Sequence, residues 1–196
     1  LINRDDGLHG AQNVGVDNGM AAKEALFLLR RAGCRRIGLL TSQARTPSLL
    51  ARERCFTAAA SACNLEVTVF EAGPTGYRSG YEAARRVFAR SVSPDGVFCV
   101  TDLLALGFMD GARQEFGLKI PEDLCVIGFD NIEQAGWEAY QLTTFEQPLD
   151  RMAGHVVDLL TLPEPLPEQL PGRQSSGAAI FEPLPVWRRS VRAKPA

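Results

Sequence analysis

From residue 14 onward the chain alternates short unbroken apolar runs with longer stretches whose apolar residues recur every three or four positions. Val14-Gly15-Val16 predicts a strand. Ala21, Ala22, Ala25, Leu28, Leu29 and Ala32 predict a helix over 20–32 that Gly33 stops. The pattern then repeats: strand 37–40, helix 48–63, strand 67–70, helix 80–89, strand 96–100, helix 103–116 closed by Gly117, strand 124–128. The strands are continuously apolar rather than alternating, the mark of strands buried on both faces. Such a sequence folds as α/β, a doubly wound parallel sheet covered by helices. Right-handed crossovers gather the loops that follow the strands along one edge. Ligands of such sheets bind there, outside the carboxyl ends. The segments of interest are therefore 41–52, 71–77, 101–102 and 129–131.

Past Asn131 the alternation breaks. A short strand is expected over 142–145, then a helix over 148–160 with Pro148 in its first turn, where a missing N–H costs nothing. Pro163, Pro165, Pro167 and Pro171 forbid regular structure over 163–177, which reads as a mobile loop. Closing strands are expected over 178–181 and 186–187.

The 196 residues are 45% hydrophobic and 22% charged, with a net charge of −2, the ordinary globular range. The positive excess of a nucleic-acid footprint is missing. No run reaches the ~18 apolar residues of a membrane span. The first residues carry charge where a leader would be apolar. The chain lacks a starting Met, as expected for a piece of something longer. Cysteines at 34, 55, 63, 99 and 125 show no Cys-x-x-Cys spacing, against both a zinc site and a disulfide framework. Each lies in an apolar or helical stretch, so all five read as reduced core or near-core residues of a cytoplasmic protein. No phosphate loop or dinucleotide fingerprint occurs. The two histidines, His9 and His155, do not follow strands, which leaves no triad and no metal cluster. No catalytic residue, metal or cofactor is nominated, and the chain is read as non-enzymatic.

Certain residues at the strand ends carry chemistry. Asp130 follows Val-Ile-Gly-Phe at 126–129. A carboxylate there accepts two hydroxyls of a polyol, or else caps a turn, since Asp-Asn is a turn pair. Arg52 lies four residues past Ser48, so a cation and a hydroxyl share one helix face, toward a ligand or toward solvent. Asp102 is the natural N-cap of the helix that follows, which leaves Thr101 the better placed for ligand contact.

Several segments, in one order, resemble the LacI/GalR transcriptional regulators. They are Val-Asp-Asn at 16–18, Ala-Gly-Cys-Arg-Arg-Ile-Gly-Leu-Leu at 32–40, Val-Phe-Cys-Val-Thr-Asp-Leu-Leu-Ala-Leu-Gly at 97–107, and Pro-Glu-Asp-Leu-Cys-Val-Ile-Gly-Phe-Asp-Asn at 121–131. Leu-Thr-Thr-Phe-Glu-Gln-Pro at 142–148 and Trp-Arg-Arg-Ser at 187–190 complete the set. The resemblance implies a periplasmic-binding-protein-like fold of two lobes with the N-terminal lobe incomplete. Residues 1–32 and 146–176 would belong to that lobe, 33–145 to the C-terminal lobe, and 177–196 would supply its closing strands and the tail. A small sugar-like effector would be held between the lobes by Arg52, Thr101 and Asp130. Ser48 matches the hydroxyl residue before the family's arginine, Asn3 comes from the other lobe, and Gln147 sits at the crossover. The family's stacking aromatic aligns with Thr75, and Tyr77 lies two residues on; both join the candidates. Tyr140 stands where members commonly carry Pro.

The resemblance also implies a homodimer, and operator DNA bound through a helix-turn-helix headpiece absent from this chain. The small residues Ala105, Gly107 and Ala112 suit close helix approach or plain core packing. A periplasmic sugar-binding protein of the same fold is the alternative, and unpaired cysteines count against it. An unrelated doubly wound enzyme would need a catalytic pair at a strand end, and none is visible.

Overall fold

The computed structural model describes residues 13–161 and 178–193. In chain order the elements are β1 (Asn13–Val16), α1 (Asn18–Arg31), β2 (Ile37–Thr41), α2 (Pro47–Ala62), β3 (Val67–Glu71), α3 (Tyr77–Phe88), β4 (Gly96–Cys99), α4 (Asp102–Phe116), β5 (Cys125–Ile127), β6 (Thr144–Glu146), α5 (Leu149–Thr161), β7 (Ala178–Phe181) and β8 (Leu184–Val186). Helix α3 begins at Tyr77, three residues before the expected start. Asn3, His9 and the 163–177 loop lie outside the described residues.

The four buried apolar runs pair in parallel in the order β3-β2-β4-β5. From β2 the chain steps through α2 to β3, and from β4 it steps through α4 to β5, the opposite way. The strand order therefore reverses between β2 and β4, which opens a crevice at their carboxyl ends. Helices α1 and α2 pack as one pair, and α3 and α4 as another. Phe56 of α2 stacks at 5.2 Å on Phe98 of β4, and Phe88 of α3 lies 5.4 Å from Phe108 of α4. Phe56, Phe98 and Phe108 are fully buried, each contributing about 2–3 kcal/mol by burial. The α3–α4 contact is close enough for backbone to meet backbone. A Cβ on Gly107 would overlap the Tyr77 carbonyl, and one on Gly80 would overlap the Leu104 carbonyl. Gly117 ends α4 in the left-handed conformation at φ 64°, as helix stops require.

The remaining strands pair outside this four-stranded sheet. Helix α1, placed with 1–32, packs on α2 and β4 of the four-stranded sheet. Strand β7, placed among the closing strands, pairs in parallel with β1. Strand β8 pairs antiparallel with β6. Parallel bridges Ile127–Thr143 and Asp130–Glu146 lay β6 along the end of β5. The cysteines also divide: Cys34, Cys99 and Cys125 are buried, whereas Cys55 is half-buried and Cys63 exposed. Cys63 is thus no core residue; it caps the C-terminus of α2, where the helix frays toward solvent.

Candidate functional site

Arg52 lies in the second turn of α2 and is only 4% exposed. Its Nε donates to Asn18 Oδ1 at 2.8 Å, and Nη1 donates to the Val100 carbonyl at 2.6 Å. The guanidinium carbon stands 3.4 Å from the centre of the Phe129 ring, a cation–π contact. Nη2 is 4.0 Å from Asp130 Oδ1, beyond hydrogen-bond reach. One side chain thus spans the start of α1, the end of β4 and the end of β5, across the point where the strand order reverses. Burial pulls the Arg52 pKa down to about 10, and the nearby Asp130 and Asp102 carboxylates oppose it. The group remains a cation at neutral pH.

Asp130 and Asn131 both have positive φ, 120° and 51°, conformations that cost about 1–3 kcal/mol each and persist only where the surroundings enforce them. The enforcement is visible. Asp130 N donates to the Phe145 carbonyl at 2.9 Å, Gln147 Nε2 donates to Asp130 Oδ1 at 2.8 Å, and Arg188 Nη2 donates to Asn131 Oδ1 at 2.7 Å. Burial raises the Asp130 carboxyl, while Arg52 and then Gln147 lower it.

Thr101 takes the capping role expected of Asp102. Thr101 is the N-cap of α4, its hydroxyl accepting from Leu104 N at 3.5 Å. Asp102 is the first helical residue and fully buried. Its carboxylate accepts from Thr144 Oγ1 at 2.6 Å and from Ile132 N at 3.0 Å, and its own N–H donates to the Phe129 carbonyl at 2.8 Å. The reason is the tight return of the 129–132 turn over the helix start, which presents a backbone donor and the β6 hydroxyl to this carboxylate. Burial pushes Asp102 up to about 6, against the lowering effect of those two hydrogen bonds.

The other nominated residues divide in two groups. Thr75 pairs with Ser42 at 2.7 Å, beside the carboxyl end of β2. Ser48 is 3.3 Å from Thr46 Oγ1, at the start of α2. Tyr77 is turned to α4: its hydroxyl donates to Asp110 Oδ2 at 2.6 Å, and Tyr140 donates to the same oxygen at 2.7 Å. The structure therefore gathers Arg52, Asp130 and Gln147, with Thr101 one residue past the carbonyl that Arg52 grips. Asn18, Phe129 and Asp102 belong to this network and were not nominated as site residues. Asn18 could have been found from its place directly after the β1 strand and Asp17. Phe129 reads as core from sequence alone.

Among the described residues no group of three or more His, Cys, Asp or Glu is placed to hold a metal ion, and no helix is long and apolar enough to cross a membrane.

Residues 28–191 match the family model of the periplasmic binding protein-like domain. The chain is similar to the HTH-type transcriptional repressor CytR of Escherichia coli K12, 31% identical over 185 residues, 93% of this chain and 52% of that protein. It spans about half the length of the curated relatives it matches. Among solved structures it resembles an uncharacterized protein from Actinobacillus succinogenes, with TM-score 0.83, 25% identity, and coverage of 97% of this chain and 68% of that one. It shares its fold with a LacI family transcriptional regulator from Enterococcus faecium solved with bound ribose, with TM-score 0.82, 22% identity, and coverage of 98% and 69%. The motifs, the sheet order and these likenesses agree: the chain belongs to the periplasmic binding protein-like domain family.

Proposed function

We propose that this chain is the effector-binding domain of a LacI-type transcriptional regulator and that its effector is a polyhydroxylated small molecule, a sugar or a nucleoside. The observation that carries this is the 4.0 Å gap between Arg52 Nη2 and Asp130 Oδ1. A single hydroxyl oxygen set to one side of the pair can bridge both, accepting from the guanidinium and donating to the carboxylate. Every other hydrogen-bonding nitrogen of that guanidinium already has a partner, so the geometry is set before ligand arrives. The ribose in the E. faecium regulator is a ligand of this class. Thr101 and Gln147 flank the gap. Ser48, Thr75 and Tyr77 are further candidate contacts on the same side of the crevice, and Asn3, outside the described residues, is a candidate contact from the second lobe.

In the whole regulator the effector would bind one lobe arrangement better than the other. That difference in affinity would shift a homodimer between operator-binding states. Operator contact would fall to a headpiece outside this chain, in the cytoplasm, with no chemistry performed on the effector.

The test is a thermal-shift screen against pentoses, hexoses, nucleosides and free purines at millimolar concentration. Binding to the folded state raises the midpoint by mass action. A rise with one polyol class, lost in Arg52→Ala and in Asp130→Ala, is the expected result. A rise of equal size in either variant overturns the assignment.

A further inference from the structure

At the opposite edge of the sheet, the amino ends of the strands, two cysteines from distant parts of the sequence meet. Cys125 opens β5 directly opposite Gly96 of β4 in the strand register. Cys34 precedes β2, and its Sγ and Cβ occupy the space that a Cβ on Gly96 would take, at 2.7 and 2.8 Å. The two thiols are close enough for each to shift the titration of the other, while Cys34 Sγ donates to the Asp95 carbonyl at 3.5 Å and Cys125 Sγ to the Pro121 carbonyl at 3.8 Å. Arg192 serves both: Nη2 is 3.3 Å from Cys34 Sγ, and the backbone N–H donates to Cys125 Sγ at 3.4 Å. The same guanidinium is held by the carbonyls of Ala32, Pro121 and Glu122 at 3.2, 2.8 and 2.9 Å. It is therefore locked over the sulfurs. Among the described residues, Asp95 is the opposing charge that faces the pair.

We infer that Cys34 and Cys125 form a reversible disulfide site that responds to peroxides. A positioned cation beside a thiol pair favours the nucleophilic thiolate. The neighbouring Cys34 thiol, then the backbone N–H and guanidinium of Arg192, bring Cys125 down to about 7. The neighbouring Cys125, then burial, push Cys34 well above the ordinary thiol range, so the pair shares one dissociable proton near neutrality. In the reaction, a thiolate sulfur attacks one oxygen of hydrogen peroxide, the O–O bond breaks, and the departing hydroxide takes up a proton as water. The sulfenic acid so formed is attacked by the second sulfur, its S–O bond breaks, a second water leaves, and the S–S bond forms. Two electrons pass from the two sulfurs to the peroxide. Thiol reductants reverse the bond by exchange. The site lies across the sheet from Arg52 and owes nothing to the reading of the crevice.

The experiment uses the folded chain carrying Cys63→Ser, since exposed Cys63 would bridge molecules. It is treated with hydrogen peroxide between pH 6 and 8, unfolded, alkylated, digested and weighed. The expected product is a peptide pair joined through Cys34 and Cys125, lighter by two hydrogens, abolished by dithiothreitol and absent from Cys34→Ser. Its rate of formation rises through pH about 7. Arg192→Gln slows it about fivefold at neutral pH, the fall in thiolate fraction when a pKa of about 7 rises by one unit. Recovery of both cysteines as alkylated thiols, with Cys55 or Cys99 oxidised instead, overturns the inference. The peptide result with the Cys63→Ser chain alone decides the matter even where a further variant folds poorly.

Discussion

The α3–α4 seam and the crevice at the carboxyl ends of β2, β4 and β5 both exclude water, by opposite means. The seam is built from what is missing: at Gly80 and Gly107 the absent Cβ lets two helices touch through their backbones. The crevice instead buries an arginine and a carboxylate, Arg52 and Asp102, with Asp130 at its rim. Removing such charges from water costs several kcal/mol each, and pairing repays that only with good geometry. A sequence selected for stability alone would fill the crevice with apolar side chains, as it does the seam. The difference marks where the molecule gives up stability to keep hydrogen-bonding capacity, which the proposed function assigns to a ligand.

The seam breaks most readily. Gly107→Ala puts a methyl into the Tyr77 carbonyl, so the two helices must part along their length. We expect a loss of about 3 kcal/mol, read as a lower midpoint in urea. An unchanged midpoint would mean that α3 can shift without cost and that the seam is not close-packed. The crevice breaks differently. Arg52→Ala should lower effector affinity by about 1.5–3 kcal/mol, tenfold or more, the range for a charged hydrogen bond. Arg52→Lys should restore little of it, because an ammonium cannot reach Asn18 and Val100 at once from a rigid fork. Calorimetric titration with whichever polyol the thermal screen selects measures both.

The same contrast explains what could be read from the sequence. The strands, the helices and the sheet edge that carries the crevice follow from periodicity and crossover rules, because apolar runs such as 96–100 report their own burial; the strand order and the pairing of α3 with α4 do not. Arg52 and Asp130 were readable as strand-end polar residues. Their meeting was not, since Arg52 reaches across from α2 to β5 and no local pattern encodes that. Asp102 was taken for an ordinary cap because capping is decided by neighbours one to three residues away. Its actual partners, Thr144 and Ile132, are 42 and 30 residues distant. The place of α1 and β7 likewise depends on long-range pairing.

Asp102 sharpens the comparison through pH. Its folded pKa, about 6, lies above the ordinary value of 3.8. The sign follows directly: the folded state binds the proton more tightly than the unfolded one. This residue therefore contributes stability at low pH that is lost as the pH rises through 6. Between pH 7 and pH 5 it should contribute about 1 kcal/mol of added stability. Asp102→Asn, which mimics the protonated form, should lack that gain. Urea unfolding of both proteins at the two pH values gives the difference, in which the shared titration of Asp130 largely cancels. Equal pH dependence in the two proteins would show that the Asp102 carboxylate is better solvated than its burial indicates.

The smallest expected effect tests whether the two regions are joined at all. Tyr140 lies ten residues past Asp130, and its hydroxyl reaches Asp110 on α4, inside the seam. It is the side chain at the position where the resemblance leads one to expect proline. In Tyr140→Phe the Asp110 carboxylate keeps the Tyr77 hydroxyl at 2.6 Å and Arg113 at 3.8 Å, so no buried charge is orphaned. The cost should be about 0.5–1 kcal/mol in urea unfolding, that of an ordinary hydrogen bond. Effector affinity should stay as in the wild type, because the Asp130 turn is held from its other side by Gln147, Arg188 and the Phe145 carbonyl. A fall in affinity larger than the fall in stability would show that the seam positions the crevice through this tyrosine.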